Sequence, residues 1–365
     1  MPIREESFRI GCGRYLQKPD LLLNCKEEIL RLGTKPMILG GETALKVALP
    51  QMEKSIKELE SYRIIPYKGS CNEPKAKEFA DQALQEGFDV VVGVGGGVMM
   101  DFAKLVGDFA KLPVINVPTS SATCAAYTPL SVRYTPEGRT VGSKHYGYEV
   151  SAVLADSRIL SQQPTRLFLA GVLDSLAKFV EIKQRAAENG GAFPLGLDWA
   201  YCMAEKSFHE LTEKTETCLA DMACGVISET VEQVLFICLA GTGVISGIAR
   251  GSNQTALGHK FYEATRELFF TESRNFLHGE IVGIGLILQN DFNGERENND
   301  FMLRLMKHYK LPSRLREIGL TADEETKTAY YERLKKGSAI DENDPAQLER
   351  LQNSLNYLWE MDRYE

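Results

Sequence analysis

The run "VVGVGGGVMMDFAK", Val91 to Lys104, passes from a β-branched block through three consecutive glycines into a segment with helical spacing. A strand entering a glycine-rich turn that opens a helix is built to receive a phosphate. Glycines let the backbone come close to a bulky anion, and the first helical turn offers unpaired N–H groups at the positive end of the dipole. The pattern is G-x-G-G-G-x-x-x-D, not G-x-G-x-x-G, and it follows the third strand-like block, not the first. A tight strand–helix packing turn is the competing reading of the same glycines. Other chemistry-bearing residues are sparse. Five histidines, at 145, 209, 259, 278 and 308, leave few candidates for an imidazole site. Eight cysteines, at 12, 25, 71, 124, 202, 218, 224 and 238, include no C-x-x-C pair. That scatter points to reduced thiols and a cytoplasmic setting, not to a disulfide framework or a zinc knuckle.

These residues must be positioned by a chain of 365 residues, long enough for two domains. "KPMILGG", "RIIPYKG", "DVVVGVGGG" and "PVINVPT" read as strands separated by helical stretches. The first of those stretches, "TALKVALPQMEKSIKELESY", carries a proline interruption. Continuous apolar blocks alternating with helices predict a parallel α/β sheet covered on both faces. From about Ser161 helical periodicity takes over, and Pro164 marks a helix start. This divides the chain into an α/β domain over 1–162 and a helical domain over 163–365. "ENGGAFPLG" and "NGERENND" read as loops, and Thr321 to Pro345 as a solvated charged surface. The start lacks the basic-then-apolar order of a secretory signal. No apolar run approaches the roughly 20 residues of a bilayer span, and "VEQVLFICLAGTGVISGIA" reads as a buried helix. A net charge of -8 argues against nucleic-acid and anionic-membrane partners.

"GVGGGVMMDFAK", "LPVINVPTSSATCAAYTPLSVRYTPEG", "LAGVLDSLAKFVE" and "FLHGEIVGIG" stand in an order that resembles the glycerol dehydrogenase branch of the iron-containing alcohol dehydrogenase superfamily. The resemblance runs from Phe8 onward. It implies a Rossmann-like parallel-sheet α/β domain followed by an all-α helical domain, a dehydroquinate synthase-like architecture. By the same resemblance Gly95, Gly96 and Gly97 take the pyrophosphate of NAD or NADP, with Asp101 and Lys104 on the helix below. Thr119 and Ser120 contact the nucleotide, and Ser131 and Val132 lie on its nicotinamide side. Asp174 and His278, the latter in H-G-E, match the family's metal ligands. Lys178 stands where some members carry a further histidine, in keeping with a three-ligand zinc-type site, with iron or nickel as alternatives. His259 completes the set in one alignment, with Tyr262 replacing the family's second histidine. In the other alignment the ligand position falls on Gln254 or Thr255, and the site is crippled or metal-free. Without the resemblance, Asp174 and Lys178 read as an i,i+4 ion pair worth about 0.3–0.5 kcal/mol, and Asp101 and Lys104 as a solvated helix face.

Cys124 stands where glycerol-oxidising members place an aspartate that holds substrate hydroxyls. A thiol cannot replace a carboxylate acceptor, so glycerol gives way to a 2-oxo or hydroxycarboxylic acid, with Tyr127 and Arg133 as candidates for its carboxylate. Gly41 occupies the place of an acid that grips the adenosine ribose, which admits NADP, while Glu42 keeps NAD open. The expected function is metal-dependent hydride transfer between NAD(P) and a small 2-oxo/hydroxycarboxylic acid or polyol, in a homo-oligomer. The alternatives are a dehydroquinate-synthase-like lyase and a metal-free nucleotide-binding member.

Overall fold

The computed structural model describes residues 10–188 and 196–363. Eight strands form among them: β1 (Tyr15–Lys18), β2 (Pro36–Gly40), β3 (Arg63–Pro66), β4 (Val90–Gly95), β5 (Val114–Pro118), β6 (Leu130–Tyr134), β7 (Thr140–His145) and β8 (Ala152–Asp156). Six make one sheet in the order β1-β8-β5-β4-β2-β3, parallel throughout. β6 and β7 pair separately as an antiparallel hairpin. Every residue of β2, β4, β5 and β8 is buried, as the unbroken apolar runs require of strands covered on both sides. β1 and β8 add to the four strands read from the sequence. "YLQK" is a half-polar edge without a strong pattern.

Alternate strand residues feed two cores. Ile38, Val92, Ile115 and Leu154 pack with Leu45, Met52 and Ile56 of helix α1 (Glu42–Lys57). Met37, Leu39, Val91 and Val153 pack with Phe79 of α2 (Glu73–Gln85) and with Phe102 and Val106 of α3 (Gly97–Ala110). Phe102 is fully buried, stacked on Tyr67 at 4.0 Å and edge-on to Phe79 at 5.4 Å. Truncating such a ring to alanine costs about 3–5 kcal/mol. Pro50 does not interrupt α1, which runs through it. Burial of Leu45, Ala48, Met52 and Ile56 along one face outweighs the roughly 3 kcal/mol cost of an internal proline.

Contacts group the chain into two compact units. One holds the residues up to Pro164 together with Lys214–Gly247; the other holds Thr165–Glu213 and the residues from Ile248 on. This differs from a single division at 162/163. The break after Glu213 falls inside the helix Leu197–Ala223, so no loop or composition change signals it. In the second unit, α4 (Thr165–Glu188), α5 (Leu257–Leu268) and α6 (His278–Asn293) carry the residues considered below. Glycines let these helices approach. A Cβ on Gly279 would stand 1.8 Å from the Ala170 carbonyl oxygen, and one on Gly285 would stand 2.5 Å from that of Gly258.

The stretch from Thr321 to Pro345 is not wholly solvated. It contains the helix Glu324–Lys335, whose Tyr330 and Leu334 are fully buried. "NGERENND" forms the end of α6, a short turn and the start of the helix Asn299–His308. Most of "ENGGAFPLG" lies outside the described residues. The helical stretch Glu229–Ala249 is long and apolar enough to cross a membrane by length and composition, and 67% of its most apolar window is buried inside the protein.

Candidate active site

In the first unit the glycine-rich motif sits where the strand order of the sheet reverses. β2 leads to β3 on one side and β4 leads to β5 on the other, so strand order reverses between β2 and β4. Ligands of open α/β sheets bind outside the carboxyl ends of strands at such a point. Gly40 ends β2 there and Gly41 caps α1; Gly95 ends β4, Gly96 caps α3 and Gly97 begins it. None of Gly95, Gly96 or Gly97 has positive φ, so space, not backbone freedom, explains them. A Cβ on Gly95 would lie 2.8 Å from Met99 Cβ, one on Gly97 2.8 Å from Thr123 Oγ1, and one on Gly96 3.2 Å from Ser120 Oγ. A Cβ on Gly41 would meet nothing within 4 Å. Thr119 follows β5 and gives its N–H to the Gly95 carbonyl at 2.9 Å, with Ser120 buried beside it.

Asp101 and Lys104 are buried, not on a solvated face. They form an ion pair at 2.9 Å, and together they fasten the β6–β7 hairpin to α3. Lys104 Nζ donates to the carbonyls of Ala125 at 2.7 Å, Thr128 at 2.9 Å and Leu130. Val132 N donates to Asp101 Oδ2 at 3.0 Å, and Ser131 Oγ to the Asp101 carbonyl at 2.8 Å. Loss of solvent raises the Asp101 carboxyl above its ordinary value, against the pull of Lys104. Cys124 opens a short turn capped by Thr123 Oγ1. Tyr127 is buried edge-on to Tyr15, with its hydroxyl donating to the Ile10 carbonyl at 3.3 Å. Arg133 pairs with Glu73 at 2.5 Å.

In the second unit the structure brings Asp174, His259 and His278 together, from α4, α5 and the first position of α6. One ligand atom from each lies within 4.8 Å of the others. Asp174 Oδ1 is buried and makes no hydrogen bond, while the Nε2 atoms of His259 and His278 each stand 3.4 Å from it. Tetrahedral ligands about 2.0–2.1 Å from a cation are about 3.3–3.4 Å apart. An orphaned carboxylate oxygen facing two imidazole nitrogens at that spacing fits a divalent metal. Burial opposes the charge on Asp174, but His278 and His259 hold its carboxyl well below the ordinary value. Burial lowers His278, and Asp174 only partly compensates. The ring of Tyr262 meets His278 edge-on at 4.2 Å.

Sequence reading missed one residue here. Glu181 is fully buried, and its Oε2 holds His259 Nδ1 at 2.5 Å. Its Oε1 accepts from the backbone N–H groups of Ala256 at 2.8 Å and His259 at 2.7 Å. With Nδ1 engaged, Nε2 is the nitrogen turned toward Asp174. Burial works against a charged His259, yet Glu181 pushes it up to about 9. The available signal was spacing: Asp174, Lys178 and Glu181 at i, i+4 and i+7 share a helix face. The i,i+4 ion pair that Asp174 and Lys178 suggest apart from the resemblance is not formed among the described residues; Asp174 faces the two imidazoles. Thr255 offers its carbonyl to Arg185, and the converging set holds His259. In the H-G-E motif, Gly279 permits the close helix approach. Glu280 accepts from Leu277 N at 2.7 Å at the start of α6 and pairs with Arg166.

Comparison with known proteins finds relatives and solved structures of similar chains. The profile of the family "Iron-containing alcohol dehydrogenase" matches residues 12–157. A glycerol dehydrogenase of Pseudomonas putida is 26% identical over 322 residues, 86% of each chain. Hydroxycarboxylate dehydrogenase A of Escherichia coli is 28% identical over 278 residues, 76% of this chain and 75% of that one. The solved structure of a probable glycerol dehydrogenase from Sinorhizobium meliloti shares the fold, with a TM-score of 0.80 at 20% identity over 99% of both chains. Residues 12–157 thus match the iron-containing alcohol dehydrogenase family, and the chain is similar to glycerol dehydrogenases over most of its length.

Proposed function

We propose that the protein is a metal-dependent NAD(P) oxidoreductase acting on the CH–OH group of a small hydroxycarboxylic acid, or on the corresponding 2-oxo acid in reverse. The observation that carries this reading is the convergence of Asp174 Oδ1 with two imidazole nitrogens at 3.4 Å. Asp174, His259 and His278 would hold the cation, zinc first among the choices, and Glu181 would keep the His259 ring in register. When bound, a divalent cation polarises a substrate oxygen and makes an alcohol easier to ionise, while nicotinamide C4 carries the hydride. Gly95, Gly96 and Gly97 leave the backbone bare for a pyrophosphate at the N-terminus of α3. Thr119 and Ser120 offer hydroxyls to the nucleotide. Asp101 and Lys104 act at one remove, fixing the hairpin that carries Ser131 and Val132. Open space at Gly41 supports NADP beside NAD.

The choice of an acid over glycerol rests on Cys124 replacing a carboxylate, and the likeness to a hydroxycarboxylate dehydrogenase supports it. A homo-oligomer belongs to the same reading. So does a cytoplasmic location. The test is a panel of 2-oxo acids, neutral ketones and polyols, followed by nicotinamide absorbance at 340 nm. Reduction of a 2-oxo acid with glycerol a poor substrate is expected. Glycerol oxidation surpassing every acid in the panel would overturn the substrate assignment.

A further inference from the structure

Three lysine and arginine side chains are buried among the described residues: Lys104, Lys178 and Arg185. Lys104 donates to three carbonyls, and Arg185 to the carbonyls of Thr255 and Ser338. Lys178 is 5% exposed and has neither a hydrogen bond nor an ion pair among the described residues. It lies on α4 between Asp174 and Glu181, on the face that carries the carboxylate of the converging set. Long side chains on a helix lean toward its N-terminus, here toward the turn that holds Asp174. Its charge acts on Asp174, Glu181, His259 and His278. A buried ammonium that makes no hydrogen bond is costly even near carboxylates already engaged by imidazoles, and an arriving acceptor would relieve that cost. The two residues that the sequence offered for a substrate carboxylate are engaged elsewhere, Tyr127 with Ile10 and Arg133 with Glu73.

We propose that Lys178 is the anion subsite of the Asp174–His259–His278 centre, receiving the carboxylate of a substrate whose carbinol or carbonyl oxygen lies at that centre. The proposal rests on the dehydrogenase reading above and narrows it to substrates with an acid group next to the reacting carbon. An ammonium–carboxylate contact out of water selects such acids over neutral ketones by about ten- to hundredfold.

The test uses zinc-loaded full-length protein with NADH, comparing the parent with Lys178→Met and Lys178→Arg. Calorimetry measures binding of oxamate, a monoanion that resembles a 2-oxo acid and is not turned over. Parallel assays measure kcat/KM for 2-oxobutyrate and for neutral hydroxyacetone. The expected result is a loss of about tenfold or more in oxamate affinity and in 2-oxobutyrate kcat/KM for Lys178→Met, with hydroxyacetone within about threefold of the parent. Lys178→Arg should recover most of the oxamate affinity. Equal losses on the acid and the neutral ketone, unchanged oxamate binding in Lys178→Met, or no oxamate binding by the parent would each overturn the subsite. If the parent binds zinc, NADH and oxamate in a Lys178-dependent manner but reduces neither carbonyl compound, the subsite stands and the dehydrogenase reading falls.

Discussion

Glu181 gives the sharpest handle on the candidate metal centre, because it touches His259 and not the space between the ligand atoms. Its carboxylate receives three donors: His259 Nδ1 at 2.5 Å, His259 N at 2.7 Å and Ala256 N at 2.8 Å. Glu181→Ala leaves two buried backbone donors unmet, at about 1–3 kcal/mol each, so part of its effect falls on stability. Glu181→Gln separates the contributions. Its amide oxygen still serves the backbone N–H groups, but its NH2 faces Nδ1 as a donor and drives the ring toward the tautomer with hydrogen on Nε2. That tautomer has no lone pair to offer beside Asp174. Loss of such a partner typically weakens metal binding ten- to hundredfold, about 1.4–2.7 kcal/mol. The assay is zinc competition against a chromophoric chelator, with thermal unfolding of the metal-depleted proteins measured alongside. Glu181→Gln should unfold near the parent temperature yet bind zinc about tenfold or more weakly. Parent-like zinc affinity in a folded Glu181→Gln would refute the reasoning.

His278→Ala should abolish turnover while leaving NADH binding by fluorescence unchanged, since the residues proposed to bind the nucleotide come from the other unit; retained activity would show the ligand assignment to be wrong. Gly97→Ala puts a Cβ 2.8 Å from Thr123 Oγ1, and NADH affinity by calorimetry should fall at least about tenfold, with the far-ultraviolet dichroism spectrum unchanged. Lys104→Met strands Asp101 and three carbonyls. Breaking a buried pair from one side costs about 3–5 kcal/mol, and urea unfolding of the first unit's variant should show it; a loss under about 1 kcal/mol would mean that the pair does not anchor the hairpin.

The parallel sheet was legible because β2, β4 and β5 are continuous apolar runs with helices between them, a signal set by burial on both faces. β1 escaped because an edge strand of "YLQK" shares the composition of a loop. The continuous helix through Pro50 escaped because packing, which local propensity does not contain, decides it. At the centre, Asp174 and His278 came from motif likeness, and the sequence left His259 between two alignments. Helices far apart in the chain bring it to Asp174. Glu181 stayed silent because a buried glutamate's worth depends on the three donors it meets, two of them main-chain groups with no side-chain signature. Apart from the family likeness, Lys178 read as half of a helix-face pair, whereas Asp174 turns toward the imidazoles.

The most direct test of the central claim, a divalent cation seated by Asp174, His259 and His278, is elemental analysis of gently purified protein beside its His259→Ala variant. The account predicts about one divalent ion per parent chain, zinc foremost, and its loss from the variant. A parent without bound metal, reducing its substrate at a rate that chelator leaves unchanged, would contradict it.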